Sequence, residues 1–327
     1  MSANSNIEWT DHTFNPWEGC QKVGPGCDNC YAETRNARFS GGSAINWGPG
    51  APRRRTSTSN WNKPVMWNSK HDEFFAQHGR RQRVFCASLA DVFDNAIDPQ
   101  WRADLFKLIE KTPNLDWLLL TKRIGNVNDH VLAACDSNSN ESGMLTEWKG
   151  GIWPDNVWIG ASIVNREEML RDAPKLAAIA AKVKFWSSEP LLGDLGEINA
   201  DVLPDWVIVG GESGPGARPM HPRWARNLRD TCEMHGVPFL FKQWGEWTPE
   251  DHGEFVKEFD CGGMLPTGDL KLYSEGYRAP FDESERIQRA GGVRLDGRTL
   301  MHRVGKKVAG RELDGTQHDG YPNGAAD

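Results

Sequence analysis

Six short apolar runs, separated by polar or amphipathic stretches, limit the possible folds of this chain more than any other feature. Each run is almost continuously hydrophobic, which is typical of strands that are covered on both faces. Three of the intervening stretches, 99–111, 167–181 and 222–235, have the pattern of amphipathic helices. Strands that alternate with helices in this way form a parallel sheet. The runs are 84–89, 117–121, 157–162, 183–187, 206–210 and 238–242.

An additional strand around residues 7–10 brings the number of βα units to about seven. This α/β pattern predicts a full or partial parallel (β/α) barrel over residues 1–249. The barrel includes segment 40–68, which is rich in Gly, Pro, Ser and Arg and which we interpret as an ordered loop or flap. The alternation then stops, and we predict that residues 250–327 form a small C-terminal appendage or lid, with a strand-like fragment at 269–273.

Polar or small residues follow most of the predicted strands. Active sites of α/β barrels lie at the carboxyl ends of the strands, so we expect these side chains to meet on one face. Strands also end in polar residues because the chain leaves the core there, but this explains less easily why several strands end in Glu or Lys. The candidate residues are Ser88, Asp91, Lys122, Ser162, Asn165, Ser187, Ser188, Glu189, Gly210, Gly211, Glu212, Lys242 and Gln243.

Three cysteines near the start of the chain, Cys20, Cys27 and Cys30, form a second strong signal. Thiolates are the usual ligands of iron–sulfur clusters, and three of them leave one corner of a 4Fe–4S cube without a protein ligand. That corner can bind a small molecule. The spacing is also compatible with a zinc site, for which His12 is a candidate fourth ligand, and with buried structural cysteines.

Composition excludes several classes of protein. The net charge of -7 argues against a surface built uniformly for duplex DNA, although it leaves room for a local basic groove. The seven cysteines are scattered and odd in number, unlike a secreted disulfide framework. The sequence has no apolar run near 18 residues and no signal-peptide pattern, so we expect a cytoplasmic protein that does not associate with membranes.

Seven motifs, together with the tail 309–315, span most of the chain. They are Asn15-Pro-Trp-Glu-Gly-Cys20, Pro25-Gly-Cys-x-x-Cys-Tyr-Ala32, Ser88-Leu-Ala-Asp-Val-Phe-Asp94, Leu120-Thr-Lys-Arg123, Ser187-Ser-Glu-Pro-Leu-Leu-Gly193, Val207-Ile-Val-Gly-Gly-Glu-Ser-Gly-Pro-Gly-Ala-Arg-Pro-Met220 and Phe241-Lys-Gln-Trp-Gly245. In combination they resemble a phage-borne family of radical S-adenosylmethionine-like proteins. The wider superfamily usually spaces its cysteines C-x3-C-x2-C. This chain has six residues in the first gap but keeps the second gap and the aromatic Tyr31.

The resemblance implies a barrel of the radical S-adenosylmethionine type. It implies that the three cysteines hold a 4Fe–4S cluster and that S-adenosylmethionine binds the fourth iron. Reduction by an external, flavodoxin-like donor then cleaves the sulfonium bond, and the 5′-deoxyadenosyl radical abstracts a hydrogen atom from the substrate. The cofactor supplies this chemistry, while the protein supplies placement and exclusion of water.

The resemblance also implies roles for the strand ends. Ser88 and Asp91 would contact the methionyl amino group, although a helix N-cap is an alternative role for Asp91. The glycine-rich segment around Glu212 would let the backbone approach adenine or methionine, or would only form a tight turn. Candidate contacts for ribose and carboxylate are Ser162, Asn165, Ser187, Ser188 and Glu189. Candidate catalytic and substrate contacts are Lys122, Lys242 and Gln243.

Basic and aromatic residues alternate in segment 47–67. This pattern suits phosphates and stacked bases, and it also suits a solvated loop that packs its tryptophans on the barrel. The residues are Trp47, Arg53, Arg54, Arg55, Trp61, Lys63 and Trp67.

The phage setting of the family leads us to expect a nucleobase substrate. We expect modification or isomerisation of a nucleobase adduct, such as a modified thymine in phage DNA, in the cytoplasm of the infected host. An enzyme that acts on a base in a duplex must extrude it. Two alternatives stay open: a zinc-stabilised nucleic-acid-binding protein without catalysis, and radical repair of a damaged base.

Overall fold

Parallel strands form the central sheet in the computed structural model, which describes residue 5 and residues 7–137, 143–249, 292–296 and 299–322. Within these residues the sheet has seven strands. In spatial order they are β1 (His12–Phe14), β4 (Gln82–Cys86), β5 (Leu115–Thr121), β6 (Val157–Ser162), β7 (Val183–Ser188), β8 (Trp206–Gly210) and β9 (Phe239–Gln243). The sheet curls into a half-barrel with β1 and β9 at its edges. The predicted α/β fold with a partial barrel is therefore confirmed.

The six apolar runs match strands β4 to β9 closely, whereas the predicted strand at 7–10 is wrong. The chain turns there, with the Thr10 backbone N–H donating to the Ile7 carbonyl oxygen at 3.2 Å, and the first strand begins at His12. The Thr10 hydroxyl donates to the Arg83 carbonyl oxygen at 2.9 Å and accepts from the Phe85 N–H at 3.0 Å. The Thr10 side chain thus makes the hydrogen bonds that the backbone of a neighbouring strand would otherwise make at this position.

Helices cover the outer face of the sheet. The three predicted helices are confirmed as α5 (Pro99–Glu110), α8 (Arg166–Ala177) and α9 (Pro222–Met234). Segment 40–68, which we interpreted as an ordered loop or flap, also contains regular secondary structure. It contains β3 (Arg54–Arg55), which pairs antiparallel with β2 (Trp17–Glu18), and two short helices. The helices in the described residues are α1 (Tyr31–Phe39), α2 (Thr58–Trp61), α3 (Lys63–Asn68), α4 (His71–His78), α5 (Pro99–Glu110), α6 (Val127–Asp136), α7 (Gly143–Lys149), α8 (Arg166–Ala177), α9 (Pro222–Met234) and α10 (Lys306–Ala309).

Two apolar clusters lie on opposite faces of the sheet because side chains alternate along each strand. The outer cluster joins the sheet to the helices and includes Phe106 and Trp117. The inner cluster is rich in aromatic rings, among them Trp158 and Phe185. Gly160 makes room for these rings, since a Cβ atom at this position would lie 2.3 Å from the Phe185 ring. The inner face is therefore filled at one end by a compact aromatic layer.

The C-terminal residues pack against the barrel. An antiparallel sheet joins β10 (Trp247–Pro249), β12 (Thr299–Arg303) and β11 (Gly292–Leu295), and a hairpin joins β13 (Glu312–Leu313) to β14 (Thr316–Gln317). The chain then runs along β9. The division at residue 249 stays a prediction, since residues 250–291, including the 269–273 fragment, lie outside the described residues. None of the described helices combines the length and apolar character needed to cross a membrane.

Candidate functional site

A cavity of about 590 Å³ opens at the carboxyl ends of the strands, next to the inner aromatic layer. Strand alternation explains its polar wall: Ser162 lies four residues beyond Trp158, and Ser187 lies two residues beyond Phe185, on the same inner face. The volume lies in the range of small-molecule and cofactor sites, roughly 300–1,000 Å³. The cavity is therefore large enough for a cofactor with part of a substrate.

All three cysteines of the predicted loop line this cavity. Cys20 follows β2, Cys27 ends a short 3-10 helix (Pro25–Cys27), and Cys30 is the N-cap of α1. None of the described cysteines forms a disulfide. The fold thus brings three free thiols from one short loop to the end of the sheet at which the strand-end residues meet.

A buried carboxylate fixes the cysteine loop to the end of β8. Glu212 accepts hydrogen bonds from Asn29 Nδ2 at 2.9 Å and from Arg218 Nη2 at 2.7 Å. Arg218 also donates to Asp28 Oδ2 at 2.9 Å and to the Pro25 carbonyl oxygen at 2.8 Å. Burial tends to raise the pKa of Glu212, but the hydrogen bonds from Arg218 and Asn29 outweigh it and lower the pKa. An ionised Glu212 therefore holds residues 25–29 in place.

Arg123 joins the cysteine loop to the end of β5. Its Nη1 atom lies 3.6 Å from Cys20 Sγ and 3.0 Å from Asp91 Oδ2. Asp91 also accepts from Thr121 Oγ1 at 2.7 Å and from the Lys122 N–H at 3.1 Å. It accepts from the Phe93 N–H at 2.9 Å, although no helix begins there, so the helix N-cap alternative is wrong. Asp91 lines the cavity, and its carboxylate holds Arg123 beside Cys20.

Two lysines bring ammonium groups to the cavity wall. Lys122 Nζ donates to Ser162 Oγ at 2.9 Å, and Lys242 Nζ donates to Glu189 Oε1 at 2.7 Å. Gln243 Nε2 donates to Ser213 Oγ at 2.9 Å, while the buried Gln243 Oε1 has no hydrogen-bond partner. Buried acceptors are nearly always satisfied, so this oxygen is a ready contact for a ligand N–H or O–H group.

Three predicted cofactor residues lie outside the cavity. Asn165 is the N-cap of α8, where its side chain accepts from the Glu168 N–H at 2.9 Å. Ser188 is fully buried on the opposite face of β7 from Ser187, because neighbouring strand residues alternate. Gly210 also does not line the cavity. The predicted residues that do line it are Cys20, Cys27, Cys30, Ser88, Asp91, Lys122, Ser162, Ser187, Glu189, Gly211, Glu212, Lys242 and Gln243.

Gly211 must lack a side chain because another backbone segment of the protein packs closely against it. A Cβ atom there would lie 1.9 Å from the Trp244 carbonyl oxygen. The glycine-rich segment therefore permits a close approach of two backbone segments, which is the local reason for this composition.

Sequence reasoning missed several cavity residues, among them the buried Asn15. Asn15 Oδ1 accepts from the Leu89 N–H at 2.7 Å, and its Nδ2 donates to Ser88 Oγ at 3.0 Å. The strand-end rule would have found Asn15 if the first strand had been placed at residues 12–14. The other missed lining residues include Thr13, Tyr31, Arg35 and Lys306.

Two of the three cavity thiols, Cys20 and Cys30, lie in an environment that favours the protonated form. Burial raises the pKa of Cys20 to about 11, with Asp91 adding to the effect and Arg123 opposing it. Burial also raises the pKa of Cys30. Metal ligation requires thiolates, so a metal that bound these two thiols would release protons.

The described side chains do not form a site for a single metal ion. In the described part of the chain, no group of three or more His, Cys, Asp or Glu side chains is arranged to hold one. The suggestion that His12 completes a zinc site is wrong, because His12 points away from the cavity, stacks on Trp67 with ring centroids 4.1 Å apart and lies 2.6 Å from Gln82 Oε1.

The three consecutive arginines have separate environments. Arg53 is 2% exposed and donates to Asp94 at 2.8 Å, so it anchors its own segment and does not face a ligand. Arg54 pairs with Glu18 on the surface, and Arg55 pairs with Asp104 at 2.7 Å. Of the tryptophans in this segment, Trp47 lines the cavity, whereas Trp67 is buried in the core.

Comparison with known proteins places the whole site within one family. A family model described as a protein of unknown function (DUF5131) matches residues 4–322. The chain belongs to the DUF5131 family. The match spans the cysteine loop, the half-barrel and the C-terminal residues, so DUF5131 describes one continuous unit that includes the cavity. No curated protein and no solved structure matches the chain.

Proposed function

We propose that this protein is a radical S-adenosylmethionine enzyme that modifies or isomerises a nucleobase adduct, such as a modified thymine in phage DNA. One observation carries the proposal: three free cysteines of one short loop line the same cavity as the strand-end serines, lysines and carboxylates. A 4Fe–4S cluster with bound S-adenosylmethionine would supply the radical that abstracts hydrogen. Hydrogen abstraction suits an unactivated carbon that acid–base chemistry does not reach.

Cys20, Cys27 and Cys30 would hold the cluster. The guanidinium of Arg123, 3.6 Å from Cys20 Sγ, favours the thiolate form of that ligand. Asp91 keeps the guanidinium in position. The chain thereby provides a fixed positive charge beside one ligand without exposing it to solvent.

The remaining cavity groups suit a zwitterionic cofactor and a polar substrate. Ser88, Ser162, Ser187 and Glu189 are the proposed contacts for S-adenosylmethionine. The proposed catalytic and substrate contacts, Lys122, Lys242 and Gln243, line the same cavity. The inner aromatic layer below them limits access of water from that end of the barrel. The proposal includes an external, flavodoxin-like electron donor and a reducing, cytoplasmic setting.

Anaerobic reconstitution with iron and sulfide tests the cofactor. We expect a brown protein that, with dithionite, converts S-adenosylmethionine to 5′-deoxyadenosine. Single Cys20→Ala, Cys27→Ala and Cys30→Ala variants should lose both properties. Cys135→Ala is the matched control, since Cys135 is a cysteine outside any disulfide that does not line the cavity. A colourless protein with stoichiometric zinc after anaerobic purification would instead support the zinc-stabilised binding protein.

Mass spectrometry tests the substrate. DNA that contains thymine adducts is incubated with the reconstituted protein or with Cys27→Ala, and the nucleosides are compared after digestion. We expect an adduct of changed structure only with the reconstituted protein. Unchanged nucleosides, with 5′-deoxyadenosine still formed, would reject the DNA substrate while leaving the cofactor assignment intact. Restoration of a damaged base to the ordinary nucleoside would identify repair.

A further inference from the structure

A second cavity, of about 580 Å³, lies beside the first and shares one residue with it. Its walls come from the end of α1, from the following loop and from β2 and β3. Arg35 lines both cavities. We call this second cavity the arginine groove; its lining includes Arg35, Phe39, Arg54, Arg55 and Trp101.

The arginine groove is positive although the chain as a whole has a net charge of -7. Among the described residues, its lining includes four arginines and one carboxylate, Glu18. Arg53 is buried on Asp94 and Arg55 pairs with Asp104 at 2.7 Å, but the Arg54 side chain is 65% exposed. Glu18 is shared between Arg54 and Arg35, the latter at 3.8 Å, so it neutralises at most part of their charge. A local excess of guanidinium groups attracts an anionic partner.

The groove also presents aromatic surface to solvent. Phe39 is 72% exposed, with the Arg35 and Arg38 guanidinium groups 5.2 Å and 5.9 Å from its ring centroid. The Arg55 guanidinium lies 5.9 Å from the ring of Trp101. Guanidinium planes and aromatic rings are the surfaces on which unpaired bases stack. An acidic peptide would use the charges but has no matching use for these rings.

We propose that the arginine groove binds the phosphodiester backbone of a single-stranded nucleic acid segment next to the nucleotide whose base enters the main cavity. This inference rests on the proposed function, because it extends the substrate from the reacting base to its neighbours. An extruded base carries its flanking phosphates with it, and these must lie against the rim of the cavity. Arg35 borders both spaces and marks the path between them.

Binding of a fluorescein-labelled oligothymidylate, measured by anisotropy on the full chain with and without reconstituted cluster, tests this inference. Arg54→Ala and Phe39→Ala should each weaken binding about tenfold, since the first removes an exposed guanidinium group and the second removes an exposed stacking ring. The controls are Arg171→Ala and Phe75→Ala, which remove an ion-paired arginine and a partly exposed phenylalanine outside both cavities. Circular dichroism verifies that every variant is folded.

The outcomes separate this inference from the proposed function. Oligonucleotide binding that is weakened by the two groove variants but not by the controls supports the inference even if 5′-deoxyadenosine never forms. Equal binding by groove and control variants overturns it, even if the reconstituted protein modifies DNA. Tighter binding of a labelled polyglutamate peptide than of the oligothymidylate also overturns it and points to a protein partner.

Discussion

The guanidinium of Arg123 contacts groups from two distant parts of the chain. It donates to the Gln21 carbonyl oxygen at 2.8 Å and to Asp91 at 3.0 Å, and it lies 3.6 Å from Cys20 Sγ. Burial tends to lower the pKa of Arg123, but Asp91, Cys20 and Asp94 outweigh it and raise the pKa. The positive charge beside Cys20 is therefore permanent, and it belongs to a residue that sequence reasoning did not select.

Arg123→Met is expected to lower the reduction potential of the reconstituted cluster. A positive charge and a hydrogen bond near a ligand sulfur stabilise the reduced, more negative cluster, and the substitution removes both. Arg123→Lys should retain part of the effect. An anaerobic redox titration followed by electron paramagnetic resonance measures the potential, with Arg171→Met as a remote control. Identical potentials in Arg123→Met and the unmodified protein would show that Arg123 only supports the loop.

Asp116 should make the protein less stable as the pH rises from about 4 to 6. Burial raises the pKa of Asp116 to about 6, against the opposing effect of Arg81, Arg83 and Arg80. The folded state then binds more protons than the unfolded state in this window, so the free energy of unfolding falls as pH rises through it. A shift of this size corresponds to about 1–3 kcal/mol.

Urea unfolding of Asp116→Asn at pH 4.5 and 7.5 tests this effect. The variant should gain stability relative to the unmodified protein at the higher pH by about 1–3 kcal/mol more than at the lower pH. Asp155→Asn is the control, because the Asp155 side chain is 76% exposed. A stability difference for Asp116→Asn that is the same at both pH values would contradict the assigned cause.

The cysteine loop and the half-barrel are separate elements that depend on a few long-range contacts. The Glu212–Arg218 pair connects the segment after β8 to residues 25–29. In sequence, Arg218 lies 190 residues after Asp28 and 193 residues after Pro25, to which it donates hydrogen bonds. The loop has little regular structure of its own besides its short 3-10 helix. Its shape is therefore determined by the strand ends that it contacts.

Arg218→Ala is expected to weaken metal binding by roughly 10–100-fold while leaving the barrel folded, as is usual when the groups that support metal ligands are removed. Iron and sulfide content after reconstitution at limiting iron measures the effect. Arg226→Ala is a closely matched control: its side chain is 33% exposed against 34% for Arg218, and it pairs with Asp314 at 2.7 Å outside the cavity. Equal iron content in both variants would argue against a role of Arg218 in shaping the loop.

Gly160→Ala is expected to destabilise the protein by about 1–3 kcal/mol, because the new methyl group would overlap the Phe185 ring. Urea unfolding measures the change. Gly160→Ala combined with Phe185→Leu should recover part of the loss, since the smaller side chain relieves the overlap. Failure of the second substitution to recover any stability would mean that the strand backbone, and not the ring, is disturbed.

The C-terminal residues complete an otherwise open barrel. His318 accepts from the Phe241 N–H and the Gly320 N–H donates to the Phe239 carbonyl oxygen, both at 2.9 Å, so the tail pairs with the edge strand β9. Tyr321 then reaches the other side: its hydroxyl donates to the Glu8 carbonyl oxygen at 2.8 Å, and the Arg83 guanidinium lies 4.4 Å from its ring centroid. The tail thus covers an exposed strand edge and connects the two ends of the half-barrel.

Truncation after Leu313 is expected to lower the melting temperature by several degrees and to promote self-association, because an uncovered strand edge pairs with other chains. Thermal unfolding and size-exclusion chromatography measure the two effects. Truncation after Pro322 is the control, since it removes only residues beyond those described here. A monomeric and equally stable Leu313 truncation would show that the tail does not protect β9.

The regular part of the fold was predictable from local pattern. Strands β4 to β9 are buried on both faces and therefore appear as apolar runs, and α5, α8 and α9 follow from amphipathic spacing. The first strand was misplaced because it has only three residues, and because the Thr10 side chain, which precedes it, accepts a hydrogen bond from the Phe85 N–H in place of a strand backbone group. The short helices in 58–78 were missed because they have only four to eight residues each, too few to show a clear amphipathic period, and α4 buries none of its residues.

The sequence alone determined the chemical inventory: three closely spaced cysteines, polar strand ends and a parallel α/β sheet, since each of these is a local property of residue type and spacing. Only the tertiary structure decided which of those residues share a cavity. Strand alternation excluded Ser188 and helix capping excluded Asn165, while Asn15 and Arg123 were brought in. The neighbours of a side chain depend on strand register and on helix packing between segments that are far apart in the chain. Local sequence patterns do not specify these long-range contacts.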